Sequence, residues 1–262
     1  MKVLVTDPIA DAGLDRLREA DHEVVTAYDV DGDDLLEAVS DANALIVRSG
    51  TEVTEAVFAA AIGVDNIDID AATDHGVIVA NAPEGNVRAA AEHTVAMAFA
   101  TARSIPQAHA RLRAGEWAKG DYLGTEVNGK TLGVVGLGRV GQQVVKRLHP
   151  LGMDVVAYDP YLGEDRADQL GAELVDLDTC LDRADFLTVH VPLTDETRGL
   201  IGEEELAQLE GGYVVNTSRG GVVDEDALAE AVEDGVLAGA ALDVFEQEPV
   251  DPDNPLLDVE DV

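Results

Sequence analysis

Thr131-Leu132-Gly133-Val134-Val135-Gly136-Leu137-Gly138-Arg139-Val140-Gly141 decides how the rest of the chain is read. It predicts a short buried strand over Thr131 to Val135, a glycine turn, and a helix running from Arg139 to His149. The turn carries G-x-G-x-x-G as Gly136, Gly138 and Gly141. The three glycines serve separate steric ends, namely a tight turn, bare backbone beside a diphosphate, and close packing of helix on strand. Amides at the helix start, including those of Arg139 and Val140, face outward, where the helix dipole favours negative charge.

Outward from the turn, a second strand over Met153 to Tyr158 ends in Asp159, 18 residues past Gly141. A carboxylate there accepts hydrogen bonds from ribose hydroxyls and repels a 2′-phosphate, which points to NAD rather than NADP. Elsewhere, predicted strands over Lys2–Thr6, His22–Ala27, Ala44–Val47, Val77–Ala80, Asp185–His190, Tyr213–Asn216 and Ala238–Phe245 alternate with predicted helices. Alternation of this kind predicts an α/β fold with two Rossmann-like, doubly wound parallel sheets and ligands at the carboxyl ends of the strands. Residues 1–98 are expected to form a flavodoxin-like, substrate-binding lid domain and residues 99–262 the NAD-binding domain. The Ala-rich helix from Val87 to about Ser104 is expected to act as a buried hinge between them. Helix Thr54–Ala61 runs directly into Gly63-Val64-Asp65-Asn66, where the alternation calls for a strand.

A chain of 262 residues suits one large or two medium domains. No apolar run approaches a membrane span, and Met1-Lys2 leads straight into a strand rather than a signal peptide. The single cysteine, Cys180, excludes an internal disulfide framework and suits a reducing cytoplasm. Charge is the unusual feature, with 53 acids against 17 bases and a net −36. This balance excludes a nucleic-acid partner. It predicts self-repulsion that concentrated salt screens, and so a salt-rich cytoplasm. No metal is expected.

Hydride exchange between NAD and a 2-hydroxy or 2-oxo acid needs a cation for the carboxylate, a proton carrier and a group that orients that carrier. Arg219, directly after a strand of the second sheet, offers a guanidinium fork. Gly220-Gly221 beside it would let backbone approach a ligand. Glu248 could hold an imidazole protonated, or stand as one more surface acid. Arg48, at a strand end of the first sheet, is either an anion contact or a base offsetting nearby acids.

Val134–Gly141, His190-Val191-Pro192-Leu193-Thr194, Asn216-Thr217-Ser218-Arg219-Gly220-Gly221 and Ala241–Pro249 resemble the D-isomer-specific 2-hydroxyacid dehydrogenases. Val47-Arg48-Ser49, Gly63–Asp68, Asn81–Asn86 and Ala91-Glu92-His93-Thr94 are similar to the branch of that family acting on 3-phosphoglycerate. The resemblance implies NAD-dependent oxidation of 3-phosphoglycerate to 3-phosphohydroxypyruvate, the first step toward serine. By the same resemblance Arg219 grips substrate and Glu248 is the histidine's partner. His190, Val191, Pro192, Thr197, Thr217, Ser218 and Asp243 are implied as cofactor contacts, and Arg48, Ser49 and Asn86 as substrate contacts. A homodimer or larger homo-oligomer, built through the cofactor domain, is implied too. Alternatives are a sister dehydrogenase acting on hydroxypyruvate, glyoxylate or D-lactate, and an NAD-sensing scaffold of the corepressor type.

Two departures qualify the resemblance. Family members carry the catalytic histidine in a Pro-His pair shortly beyond the segment matching Leu256-Leu257. None of the six histidines here follows Glu248, and His190 belongs to the cofactor loop. The family also has a strand and an arginine-bearing turn where Ala61-Ile62 stands. Both are expected to be residues missing from the chain rather than evolved losses, as are the returning C-terminal helix and any serine-sensing module.

Overall fold

Strands form where β-branched and small apolar residues run without interruption, and helices where apolar residues recur every three or four positions. The computed structural model describes residues 1–28, 30–48, 50–51, 53, 69–74, 77–80, 85–118 and 120–262. It divides into two compact units, Met1–Pro83 and Glu84–Val262.

In the first unit, β1 (Lys2–Val5), α1 (Asp11–Glu19), β2 (Glu23–Thr26), α2 (Gly32–Val39), β3 (Ala44–Ile46) and α3 (Ile69–Asp74) follow in order. The strands are parallel in the order β2-β1-β3, with Leu4 opposite Val25 on one side and Leu45 on the other. Alternate side chains of β1 serve opposite faces. Leu4 packs into a cluster with Leu35 and Val39, while Val3 and Val5 pack with Leu14. Helices therefore cover both faces, as a doubly wound sheet requires. Val77–Ala80, expected as a strand, joins no ladder among the described residues. It keeps a strand's alternation, since Val77 and Val79 pack inward and Ile78 is 85 % exposed, but alternation alone makes no strand without a hydrogen-bonded neighbour. The expected helix Thr54–Ala61 and the segment around Gly63 lie outside the described residues.

The second unit opens with α4 (Val87–Ala102) and α5 (Ile105–Arg113). It continues as β4 (Thr131–Val135), α6 (Arg139–Leu148), β5 (Asp154–Tyr158), α7 (Glu164–Asp168), β6 (Glu173–Leu174), α8 (Leu177–Arg183) and β7 (Phe186–Val189). It closes with α9 (Glu203–Leu206), β8 (Tyr213–Asn216), α10 (Glu225–Glu233) and β9 (Gly239–Leu242). All six strands are parallel in the order β6-β5-β4-β7-β8-β9. The chain runs outward from β4 in both directions, so the strand order reverses between β4 and β7. At their carboxyl ends such a sheet leaves a crevice for a dinucleotide.

Val135, Leu187, Val189 and Val214 face a core completed by Cys180, Leu181, Ile201 and Leu228. Leu132, Val134, Phe186 and Ala157 face one completed by Val144, Val145 and Leu148 of α6. Helix α4, whose packing partners include α6, β8 and β9, belongs to this second unit, and the division falls earlier in the chain than the expected 98/99 boundary. Its buried residues Ala91, Thr94, Ala98 and Ala102 form a stripe of small side chains that lets the helix lie close. Among the described residues no helix is long and apolar enough to cross a membrane.

Candidate active site

Gly136 follows β4 with φ +92°, and a Cβ there would stand 2.9 Å from the carbonyl of His190. Its amide donates to Tyr158 O at 2.8 Å, which sews the turn to the end of β5. Gly141 lies so close to the Gly136 carbonyl that any side chain would collide with it. Gly138 differs from both: it caps α6 in an extended conformation, and nothing stands within 4 Å of where a Cβ would be. Backbone is thus bare toward open space at the positive end of a ten-residue helix whose first residues are Arg139 and Val140. Asp159 Oδ2 accepts from Leu137 N at 3.0 Å and Oδ1 from Tyr161 N at 2.9 Å. Two amides thereby fix the carboxylate beside the glycine turn, with lone pairs to spare for a ribose diol. These residues fit a dinucleotide.

Across the crevice, at the end of β7, His190 Nε2 lies 2.9 Å from Thr188 Oγ1. Burial pushes the pKa of its imidazole down to about 4, so near pH 7 the ring is neutral and is no imidazolium acid. Val191 packs against Gly136. Pro192 is exposed, and its carbonyl accepts the Thr197 hydroxyl at 2.6 Å. The same hydroxyl accepts from Thr194 N at 2.8 Å, so Thr197 closes this loop on itself.

Asn216, the last residue of β8, is buried, and its side chain builds the turn that follows. Oδ1 accepts from Ser218 N at 3.0 Å and Ser218 Oγ at 2.9 Å, while Nδ2 donates to Arg219 O at 3.0 Å. Thr217 Oγ1 bonds Thr94 Oγ1 at 2.7 Å, and the exposed Arg219 side chain donates from Nη1 to Ser218 O at 2.7 Å. Gly220 requires a correction. A Cβ on it would overlap the Phe245 carbonyl, so this glycine admits a neighbouring loop and not a ligand. That contact places the Arg219 turn beside the segment carrying Asp243 and Glu248. Asp243 N donates to Asn216 O at 3.0 Å, and its carboxylate lies 3.2 Å from His93 Nε2. Glu248 is exposed and folds back to accept from Phe245 N at 3.1 Å. Beneath the segment, buried Glu225 accepts from Glu246 N and, at 2.5 Å, from Asn254 Nδ2. The adjacent cleft of about 430 Å³ is walled by Asp224, Glu225, Asp226 and Glu246, a lining that repels an anionic substrate.

The cofactor contacts expected from sequence thus lie on five strand-end loops of the second unit, after β4, β5, β7, β8 and β9. In the first unit, Arg48 N donates to Asp7 Oδ2 at 2.6 Å and its exposed guanidinium reaches Pro8 O at 3.4 Å. Ser49 lies outside the described residues. Asn86 is exposed ahead of α4 and makes no side-chain cap bond. Sequence reasoning passed over Asn216, Thr94 and His93 as individual residues. An amide ending the otherwise apolar run Tyr213-Val214-Val215 was the available signal for Asn216.

A strand-order switch, a glycine-bared helix start and a fixed acidic residue after the second strand define the nicotinamide-dinucleotide class of α/β domain. Residues 95–262 match the family model described as the D-isomer specific 2-hydroxyacid dehydrogenase, NAD binding domain, and the chain belongs to that family. It is 47% identical over 273 aligned positions to the D-3-phosphoglycerate dehydrogenase of Archaeoglobus fulgidus, covering 100% of this chain and 52% of that one. With the enzyme of the same name from Methanocaldococcus jannaschii, identity is 47% over 274 positions, again covering 100% and 52%. The chain therefore spans about half the length of the curated relatives it matches. Both alignments are longer than its 262 residues, so these relatives hold internal residues that it lacks. Among solved structures, the TT0316 protein of Thermus thermophilus matches with TM-score 0.89 and 34% identity, covering 100% of this chain and 87% of that one.

Proposed function

We propose that the protein oxidises D-3-phosphoglycerate to 3-phosphohydroxypyruvate with NAD, at the entry to serine synthesis. The observation that carries the reading is identity near one half along the whole chain, first unit included, to relatives that bear that enzyme's name. NAD, when bound, supplies the hydride acceptor. The chain's own residues bind and orient. The first amides of α6 and bare Gly138 hold the diphosphate, Asp159 the adenosine ribose, and Thr217 and Asp243 the nicotinamide end. Arg219 grips the substrate carboxylate at two points, and Arg48, Ser49 and Asn86 are read as further substrate contacts on the family resemblance. Glu248 orients the histidine that family members carry beyond this segment.

The working assembly in this reading is a homodimer in a salt-rich cytoplasm. Support for a partner copy comes from the second unit's exposed apolar side chains between β4 and α4: Ile105, Leu112, Trp117 and Leu123, the last two about four-fifths exposed. The test is turnover by the uninterrupted coding sequence in concentrated KCl. NADH should form from 3-phosphoglycerate, and phosphohydroxypyruvate should be reduced far faster than hydroxypyruvate. Equal rates on both would assign a sister dehydrogenase, and NADH binding without turnover a scaffold.

A further inference from the structure

We infer that His93 is a positioning residue for the cofactor site, holding the Asp243 carboxylate where the nicotinamide end of the dinucleotide meets it. This rests on the reading of Asp243 as a cofactor contact. Two consecutive residues of α4 reach two strand ends of the sheet. Thr94, 1% exposed, bonds Thr217 Oγ1 at 2.7 Å and Ala90 O at 2.8 Å. His93 sets Nε2 3.2 Å from Asp243 Oδ1. Thr217 follows β8 and Asp243 follows β9, so one turn of one helix grips both places assigned to the nicotinamide end.

The backbone of Asp243 is already fixed through its bond to Asn216 O. What remains free is the rotamer of its side chain, and His93 is the partner that selects it. Fold stability does not explain the pair, because its side chains are 50% and 55% exposed and ion pairs so open to water contribute little. Helix α4 is itself held by its buried stripe Ala91, Ala98 and Ala102, so the imidazole is presented from a rigid support. A carboxylate fixed in advance spares the ligand the entropy of ordering it, which appears as affinity.

NADH affinity, read by fluorescence titration in molar KCl, tests this on the full chain and on His93→Ala, His93→Gln, Asp243→Ala and the His93→Ala/Asp243→Ala double variant. Thermal midpoints without ligand are recorded for each. His93→Ala should weaken NADH roughly three- to tenfold, the scale of one hydrogen bond, with the midpoint unchanged. His93→Gln, which keeps a donor within reach of Asp243, should recover to within about twofold of the native chain. In the Asp243→Ala background, removing His93 should cost nothing more. Native affinity in His93→Ala beside weakened binding in Asp243→Ala would overturn the role of His93 and leave the site reading standing. Native affinity in Asp243→Ala would overturn both. Loss of affinity matched by loss of thermal midpoint, or a further loss in the double variant, would make His93 structural.

Discussion

Glycines that look alike in the sequence do opposite things in the fold, and single methyl groups separate them. Gly220 meets the Phe245 carbonyl with no room for a Cβ, whereas Gly138 faces open space. Gly220→Ala must therefore push apart the loops bearing Arg219 and Glu248, with an expected loss of about 1–3 kcal/mol, the usual cost of overpacking. Gly138→Ala should fold at native stability, yet its methyl would occupy the surface offered to the diphosphate and weaken NADH at least tenfold, about 1.4 kcal/mol. Denaturant midpoints and calorimetric NADH titration of the two variants check both halves; a Gly138→Ala chain that binds normally would contradict the placement of the diphosphate. His190 gives a second residue-scale expectation. Its folded pKa of about 4 lies below the 6.5 of an unperturbed imidazole, so between those values the unfolded chain binds more protons. Stability from this group is complete above pH 6.5 and lost as pH falls toward 4, by up to about 3 kcal/mol. Urea unfolding across that window should show a shallower slope for His190→Gln than for the native chain.

Helix α4 was legible as a long helix and illegible as a brace. Its Ala-rich pattern predicts helix from composition alone, but only packing shows that Ala91, Thr94, Ala98 and Ala102 lie against the sheet and helix α6 of its own unit. Ala98→Leu, placing three extra carbons in that seam, should destabilise by about 1–3 kcal/mol and weaken NADH through the displaced His93 and Thr94. A Leu variant unchanged in both denaturant midpoint and NADH affinity would remove the brace. The contrast explains what the chain disclosed in advance. Strands β4, β5 and β8 announce themselves by neighbouring residues, and the turn Gly136–Gly141 by spacing, because the forces that make them act within a few positions. Asp159 was legible for the same reason, lying at a fixed reach beyond that turn. The bond between Thr94 and Thr217, the contact of His93 with Asp243 and the pressure of Phe245 on Gly220 join residues distant in sequence, so no local pattern carries them. Val77–Ala80 shows the converse: its alternation is real, but a strand is a pairing, and pairing belongs to the sheet.

Over the whole molecule, charge dominates. Most of the described ion pairs, among them Lys130–Asp185, Arg147–Glu92 and Arg183–Glu173, join partly or fully exposed side chains. Even with all 17 bases paired one to one, most of the 53 acids would stay uncompensated. At about 0.1 M salt the screening length is near 10 Å and neighbouring carboxylates feel one another; at about 1 M it is near 3 Å and they do not. The thermal midpoint should therefore climb steeply from dilute buffer to molar KCl, and a flat response would show that the acids are not the source of instability. Ligand capture carries the same signature with an unusual sign. Proteins that bind anions commonly draw them in through a positive field, and their association rates fall as salt is added. Here NADH, itself an anion, approaches a chain of net −36 and is held back by it. Stopped-flow association of NADH should accelerate as KCl rises. To separate this from refolding, the measurement belongs above the salt concentration at which the thermal midpoint levels off: acceleration there reports the field, and a rate that falls with salt would place a locally positive funnel over the helix start at Gly138.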